Sequence, residues 1–143
     1  MFWSARLNCR LRALTPESQR KVLVRAALFA AQSISELDAE TRALLDKMPS
    51  GGELSAQEAL SAMRLSEAAD DRYLALREQG VPAEVWEKWF SLARLLRGIA
   101  VGFGAARRED IADAIYEIAK SVDNSARLFE HIASEIGALP KIH

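Results

Sequence analysis

The sequence of 143 residues has few of the residues that would cross-link a chain or identify a reaction. Its single cysteine, Cys9, leaves no internal disulfide, so a reducing compartment is the expected setting. Its two histidines, His131 and His143, do not stand in the Glu-x-x-His spacing that metal sites of helical bundles use. Only His131 could serve as an ordered base, and its place on a helix is more typical of a surface residue. The sequence therefore predicts no catalytic residue, no cofactor and no metal site.

Residues that favour strands are scarce, and long apolar runs are missing. Valine, isoleucine and threonine together make up 16 of the 143 residues, and threonine occurs only at Thr15 and Thr41. Because β-branched residues favour strands, this scarcity argues against a sheet. No run of about 18 uncharged apolar residues is present, which predicts that no helix crosses a membrane. The N-terminal segment lacks the apolar core of a signal peptide, so we expect a cytoplasmic protein.

The residues that are abundant favour helices. Alanine (25 residues) and leucine (18 residues) dominate the composition, and both are strong helix formers. Arginine outnumbers lysine 14 to 5, which together with the alanine excess indicates a GC-rich bacterial genome. The chain length is typical of one domain. We therefore predict an all-α protein, a single-domain bundle over residues 1–143 with four to five helices in a mostly antiparallel arrangement.

Capping signals and apolar periodicity predict where the helices lie. Thr15 and Pro16 form a strong helix start, and Ser55 with Glu58 forms a capping box. A shorter N-terminal helix over about residues 3–13 is indicated by apolar residues at steps of three and four. The main predicted helices cover residues 16–33, 36–48, 56–79, 82–104 and 109–137.

A stripe of small residues follows the tryptophans. Gly98, Gly102 and Ala106 recur every four residues, which lets another helix backbone approach closely. The segment superficially resembles a glycine-rich nucleotide loop, but such a loop needs a strand before it, and here a helical pattern precedes it. The stripe therefore predicts helix packing, either within the chain or across a homodimer.

Three large aromatic residues, Trp86, Trp89 and Phe90, lie close together on one predicted helix. Positions 86 and 90 share a helix face, whereas position 89 is about 60° from position 90. We expect two of these rings in the core and one at an edge, where a tryptophan would serve as an anchor for a partner.

The net charge of −1 conceals strong local charge. Residues 1–30, 31–71, 72–108 and 109–143 carry +5, −6, +4 and −4. In the last block Glu109, Asp113 and Glu117 form a column at i, i+4 and i+8, with Asp110 beside it. Like charges at this spacing slightly destabilise a helix. The column therefore predicts docking against a basic partner, and a merely solvated helix face is the alternative.

We expect from these patterns a non-enzymatic module that binds another protein in a stoichiometric complex, such as a toxin-neutralising immunity protein. Glu109, Asp110, Asp113, Glu117, Trp86 and Trp89 are the predicted partner-binding residues. One alternative is a self-associating structural or regulatory protein. The other is a ligand-binding or enzymatic bundle with a pocket near Trp86, Trp89 and Tyr73.

DNA binding through residues 15–48 is disfavoured. The segment loosely resembles a helix-turn-helix, but it lacks a turn glycine. Its second helix would repel phosphates. The acidic residues of that helix are Glu36, Asp38, Glu40 and Asp46. We therefore expect neither a nucleic acid nor a membrane as the partner.

Overall fold

The computed structural model describes residues 5–34, 36–48, 54–104, 108–122 and 125–138. These residues are all-helical and contain seven α-helices, so the prediction of four to five helices is wrong in number. The helices are α1 (Ala5–Arg12), α2 (Pro16–Ala31), α3 (Ala39–Lys47), α4 (Ala56–Glu78), α5 (Ala83–Gly104), α6 (Arg108–Lys120) and α7 (Ser125–Ala138). Within this part of the chain, no helix is both long and apolar enough to cross a bilayer.

Side-chain caps set the helix starts. The Thr15 hydroxyl accepts from the Ser18 amide at 3.1 Å, and Pro16 occupies the first helical position of α2. At α4 the Ser55 hydroxyl accepts from the Glu58 amide at 3.1 Å, while the Ser55 amide donates to the Glu58 carboxylate at 3.0 Å. The hydrogen bond from Lys47 and the one from the Ser55 amide hold the pKa of Glu58 below its ordinary value. The ion pair of Lys47 and Glu58 therefore ties the end of α3 to the start of α4.

The turn after α4 makes α4 and α5 an antiparallel hairpin. Gly80 has a φ of +74°, which side-chain-bearing residues rarely adopt. The Gly80 amide donates to the Arg77 carbonyl at 3.1 Å, and the Val81 amide donates to the Leu76 carbonyl at 3.4 Å. These two bonds form a Schellman motif that closes α4.

The first half of α4 packs closely on α5 through small residues. Ala62, Ser66 and Ala69 are buried on the same face of α4. The Ser66 hydroxyl donates to the Ala93 carbonyl at 2.9 Å, which satisfies a buried polar group across the helix pair. The α4–α5 pair is the most extensive helix contact in the described structure.

The other side of α5 lies against α6 at its glycines. A Cβ added to Gly98 would lie 2.8 Å from the Ala114 carbonyl oxygen and 2.5 Å from Ile118 Cγ1. A Cβ at Gly102 would collide with Leu23 of α2 and lie 2.8 Å from Ala114 Cβ. The glycine face is therefore occupied by the chain's own α6 and α2, and it is not open to a second copy of the chain.

The predicted helix over residues 109–137 is two helices, α6 and α7. The Ser121 amide and hydroxyl both donate to the Ile118 carbonyl, at 2.9 and 2.5 Å, and these bonds close the last turn of α6. A continuous helix over this range would be roughly 43 Å long at 1.5 Å per residue. The break after Ser121 instead allows both α6 and α7 to pack on α2. Their apolar faces share one core with α2 and α5.

Candidate functional site

Three aromatic rings from α4 and α5 form a cluster at the end of the hairpin that is nearer its turn. The Tyr73 ring lies 5.3 Å from Trp86 and 5.2 Å from Phe90, in tilted and edge-to-face arrangements. All three side chains are half-buried. The cluster is therefore partly exposed to solvent and does not fill the core.

Cationic side chains surround these rings. The Arg77 guanidinium lies 5.9 Å above Trp86 and donates to the Tyr73 hydroxyl at 3.0 Å. A depression of about 290 Å³ opens between the rings and the end of α6, where Lys120 lines it. We call Tyr73, Trp86, Phe90 and Lys120 the aromatic patch.

A charged cluster links the aromatic patch to α6. Arg94 of α5 lies 5.4 Å from the Phe90 ring centroid, and its Nη2 donates to Asp70 at 2.9 Å. Its Nη1 lies 3.5 Å from the Glu117 carboxylate, which is also 3.7 Å from Lys120 Nζ. The side chains of Arg94, Asp70 and Glu117 are 20%, 25% and 19% exposed. This cluster therefore holds three helices together in a partly dehydrated setting.

The exposed side of α6 continues the aromatic patch. Lys120 Nζ lies 4.5 Å from the centroid of Tyr116, whose side chain is 50% exposed. Asp113 is also exposed, and it lies seven residues before Lys120, or about 10 Å along the helix. A carboxylate, a tyrosine and a lysine are therefore aligned on one side of α6, and the lysine lines the depression.

A second concave site lies between α3, α4 and α5. It is a groove of about 560 Å³ that contains Leu37, Thr41, Leu65, Arg72, Trp89 and Leu96, and we call it the Trp89 groove. This volume is in the range of small-molecule sites. The Trp89 ring is flanked by two cations, with Lys88 Nζ 5.2 Å and the Arg72 guanidinium carbon 5.7 Å from its centroid.

The wall of the Trp89 groove contains an unpaired polar group. Thr41 of α3 has no exposed surface, and its hydroxyl has no hydrogen-bond partner among the described residues. The Thr41 amide is satisfied, because the Asp38 side chain caps it at 3.3 Å. An unsatisfied hydroxyl in an apolar wall destabilises the protein and is a candidate contact for a ligand.

The comparisons with known proteins give no identity. No protein-family model, no curated protein and no solved structure matches this chain.

The structure separates the residues that the sequence grouped together. Trp86 lies in the aromatic patch and Trp89 in the groove, so neither of these two concave sites, which are formed by described residues, combines them. The expectation that two of Trp86, Trp89 and Phe90 enter the core is wrong, because all three are half-buried. Trp86 and Trp89 are three positions apart on α5, so they lie on adjacent faces, one bordering the depression beside Lys120 of α6 and the other bordering the groove that Thr41 of α3 also lines.

The acidic column is only partly available to a partner. Asp113 is exposed, whereas Glu117 is engaged with Arg94 and Lys120. The side chains of Glu109 and Asp110 lie outside the described residues, as does Ala106. Lys120 is three residues from Glu117 and is a local neighbour, whereas Arg94 of α5 lies 23 positions before Glu117, so no local pattern could reveal its contact with the column.

Sequence reasoning also missed Arg94 and Thr41. The only signal for Arg94 is that it follows Ala93 on the buried face of a strongly apolar helix. The signal for Thr41 is that threonine is rare in this sequence and that this one lies about one turn after the Asp38 cap. Among the described residues, no group of three or more His, Cys, Asp or Glu side chains is placed to hold a metal ion.

We predict that Thr41→Val stabilises the protein. Valine has nearly the same shape and removes the unpaired hydroxyl, so the free energy of unfolding should rise by about 1 kcal/mol. Chemical denaturation followed by circular dichroism measures this change. Thr15→Val is the matched control and should lower the stability by about 1 kcal/mol, since the Thr15 hydroxyl caps α2. A loss of stability in Thr41→Val would show that its hydroxyl is satisfied.

Proposed function

We propose that this protein binds another protein through the aromatic patch and the adjoining exposed side of α6. The observation that supports this most directly is the depression between Trp86, Tyr73 and Lys120, where half-buried aromatic rings and cations border a concave surface. Tyrosine, tryptophan and arginine are the residues in which binding energy concentrates at protein interfaces. Small changes in side-chain position would let the depression accept one apolar side chain of the partner.

Two exposed carboxylates near these cations offer contacts for a basic group beside that apolar side chain. Asp113 is the exposed carboxylate of α6 on this side, and Glu87 is an exposed carboxylate at the rim of the depression. A lysine or arginine of the partner can pair with either of them without disturbing the internal pair of Arg94 and Glu117. A stoichiometric complex of this kind is how an immunity protein neutralises a toxin, and we favour that role.

Trp86→Ala and Asp113→Lys are expected to weaken the complex in different ways. Removal of the Trp86 ring empties the centre of the surface, so the affinity should fall at least tenfold, mainly through faster dissociation. Reversal of the Asp113 charge should slow association, and its effect should shrink as salt is added. The partner is first captured from a lysate of the source cells, identified by mass spectrometry and purified. Surface plasmon resonance then gives both rates.

The control variants make the same two kinds of change, truncation of an apolar side chain and reversal of a carboxylate, on surfaces outside the aromatic patch. Leu60→Ala removes a 52% exposed apolar side chain from α4, and Asp46→Lys reverses an exposed carboxylate on α3. Neither should alter the affinity by more than about twofold. If Trp86→Ala and Leu60→Ala lower the affinity for the partner equally, the aromatic patch is ruled out as the binding surface. Glu117→Lys is not a suitable probe, because it breaks the contact with Arg94 and changes stability.

A further inference from the structure

The Trp89 groove is polar at one end and apolar at the other. Because α4 and α5 are antiparallel, Leu65 and Leu96 lie at one end, while Arg72 lies with Lys88 and Trp89 at the other. The seven residues from Leu65 to Arg72 correspond to about 10 Å of helix. The groove therefore has the length and polarity to hold an elongated molecule with a charged end.

The charges at the polar end are unequally neutralised. Lys88 Nζ lies 3.7 Å from the Glu36 carboxylate, and the Asp38 carboxylate caps the Thr41 amide. Arg72 has its guanidinium over the Trp89 ring, and no described carboxylate lies within ion-pair distance of it. A cation held over an aromatic ring without a counter-ion can receive an anion with little reorganisation. Arg72 is therefore the group at the polar end that can pair with a carboxylate.

Thr41 gives the groove a second polar feature that a bound molecule could satisfy. Its buried hydroxyl lacks a partner within the described residues, and it belongs to the wall of the same groove. A hydroxyl can donate one hydrogen bond, so an acceptor oxygen on the bound molecule would satisfy it. Apart from Thr41 and the charged residues Glu36, Asp38, Arg72 and Lys88, the groove is lined by leucine, alanine and tryptophan side chains, which match an apolar body.

We propose that the Trp89 groove binds a small, elongated carboxylate whose apolar body carries an acceptor oxygen. The carboxylate pairs with Arg72, the apolar body lies along Leu65 and Leu96, and the oxygen accepts the hydrogen bond of Thr41. The groove shares no residue with the aromatic patch. This binding activity therefore stands or falls independently of the proposed protein partner.

Calorimetric titration of the full chain tests the carboxylate. The probes are decanoate, decanol and decyltrimethylammonium, each kept below the concentration at which it forms micelles. Decanoate should bind saturably with one site per chain, whereas decanol should bind at least tenfold more weakly and the ammonium compound should not bind. Arg72→Gln should weaken decanoate binding at least tenfold. The control Arg64→Gln, an exposed arginine two turns earlier on α4, should leave it unchanged.

A series of decanoates with one keto oxygen at successive chain positions tests the role of Thr41. One isomer should bind several-fold more tightly than decanoate to the original chain, and Thr41→Val should abolish that advantage while retaining decanoate binding. The proposal is overturned if no carboxylate binds saturably, if decyltrimethylammonium binds in preference to decanoate, or if Arg72→Gln and Arg64→Gln behave alike. An advantage of the keto isomer that persists in Thr41→Val overturns the role of the hydroxyl. Circular dichroism of each variant confirms that it is folded.

Discussion

Gly98→Val is expected to lower the free energy of unfolding by about 3 kcal/mol, at the upper end of the range for overpacking a core. Even the first carbon of a side chain at Gly98 would lie 2.8 Å from the Ala114 carbonyl oxygen. That oxygen belongs to the backbone of α6, so it cannot move aside as a side-chain tip would. Valine would therefore force α5 and α6 apart along their whole contact. Urea unfolding, with the dependence of the unfolding free energy on urea concentration (m) fitted for each variant, measures this loss of stability.

Gly137→Val provides the control for this substitution. The glycine is exposed within α7, and an added Cβ would meet only the Arg10 guanidinium at 3.8 Å, an ordinary contact distance. Its effect should stay within about 0.5 kcal/mol, as for most surface substitutions. Similar losses at Gly98 and Gly137 would contradict a close approach of α6 to α5 at Gly98.

Arg94→Met is expected to lower the free energy of unfolding by about 2–3 kcal/mol, somewhat less than the loss of one partner from a fully buried ion pair. The substitution keeps the apolar stem but removes the cation between Asp70 and Glu117. Two partly dehydrated carboxylates then remain without the charge that compensates them. The expected loss is smaller than for a fully buried pair because the three side chains are about a fifth to a quarter exposed, which lets water screen their charges.

Arg97→Met separates this effect from a general loss of charge. Arg97 is an exposed arginine on the same helix, one turn away, and its replacement should change stability by no more than about 0.5 kcal/mol. In the Arg94→Met background, Glu117→Gln should recover part of the loss, because it removes one of the uncompensated carboxylates. Additive losses in the double variant would mean that Arg94 and Glu117 do not interact.

Helix starts were the most predictable part of the fold. A cap uses atoms within one turn of the chain, so Thr15 with Pro16 and Ser55 with Glu58 could be recognised directly from the sequence. The predicted start of α3 at residue 36 is wrong, because the Asp38 side chain caps the helix and Ala39 is its first residue. The spacing of apolar residues at three and four positions then predicted how far each helix continues beyond its cap.

The break between α6 and α7 was not predicted, although a signal was present. The apolar residues continue in phase across residues 111–136, which suggested one helix. Ser121, Asp123, Asn124 and Ser125 all favour turns or caps and mark the interruption. Their signal is decisive only once it is known that α2 is long enough to receive both halves.

The sequence by itself determined the helical class, the caps and the apolar face of each helix, because these depend on contacts within a few residues. The tertiary structure alone decided what each face meets. It placed α6 on Gly98, gave Glu117 an arginine from α5, and put Trp86 and Trp89 in different concave sites. Helical periodicity specifies that a face is apolar, small or charged, whereas the partner of that face depends on how all the helices pack together. The acidic column is therefore reduced to Asp113 as its exposed member among the described side chains. The pocket predicted near Trp86, Trp89 and Tyr73 is divided, with Trp89 lining the groove and the other two rings lining the depression.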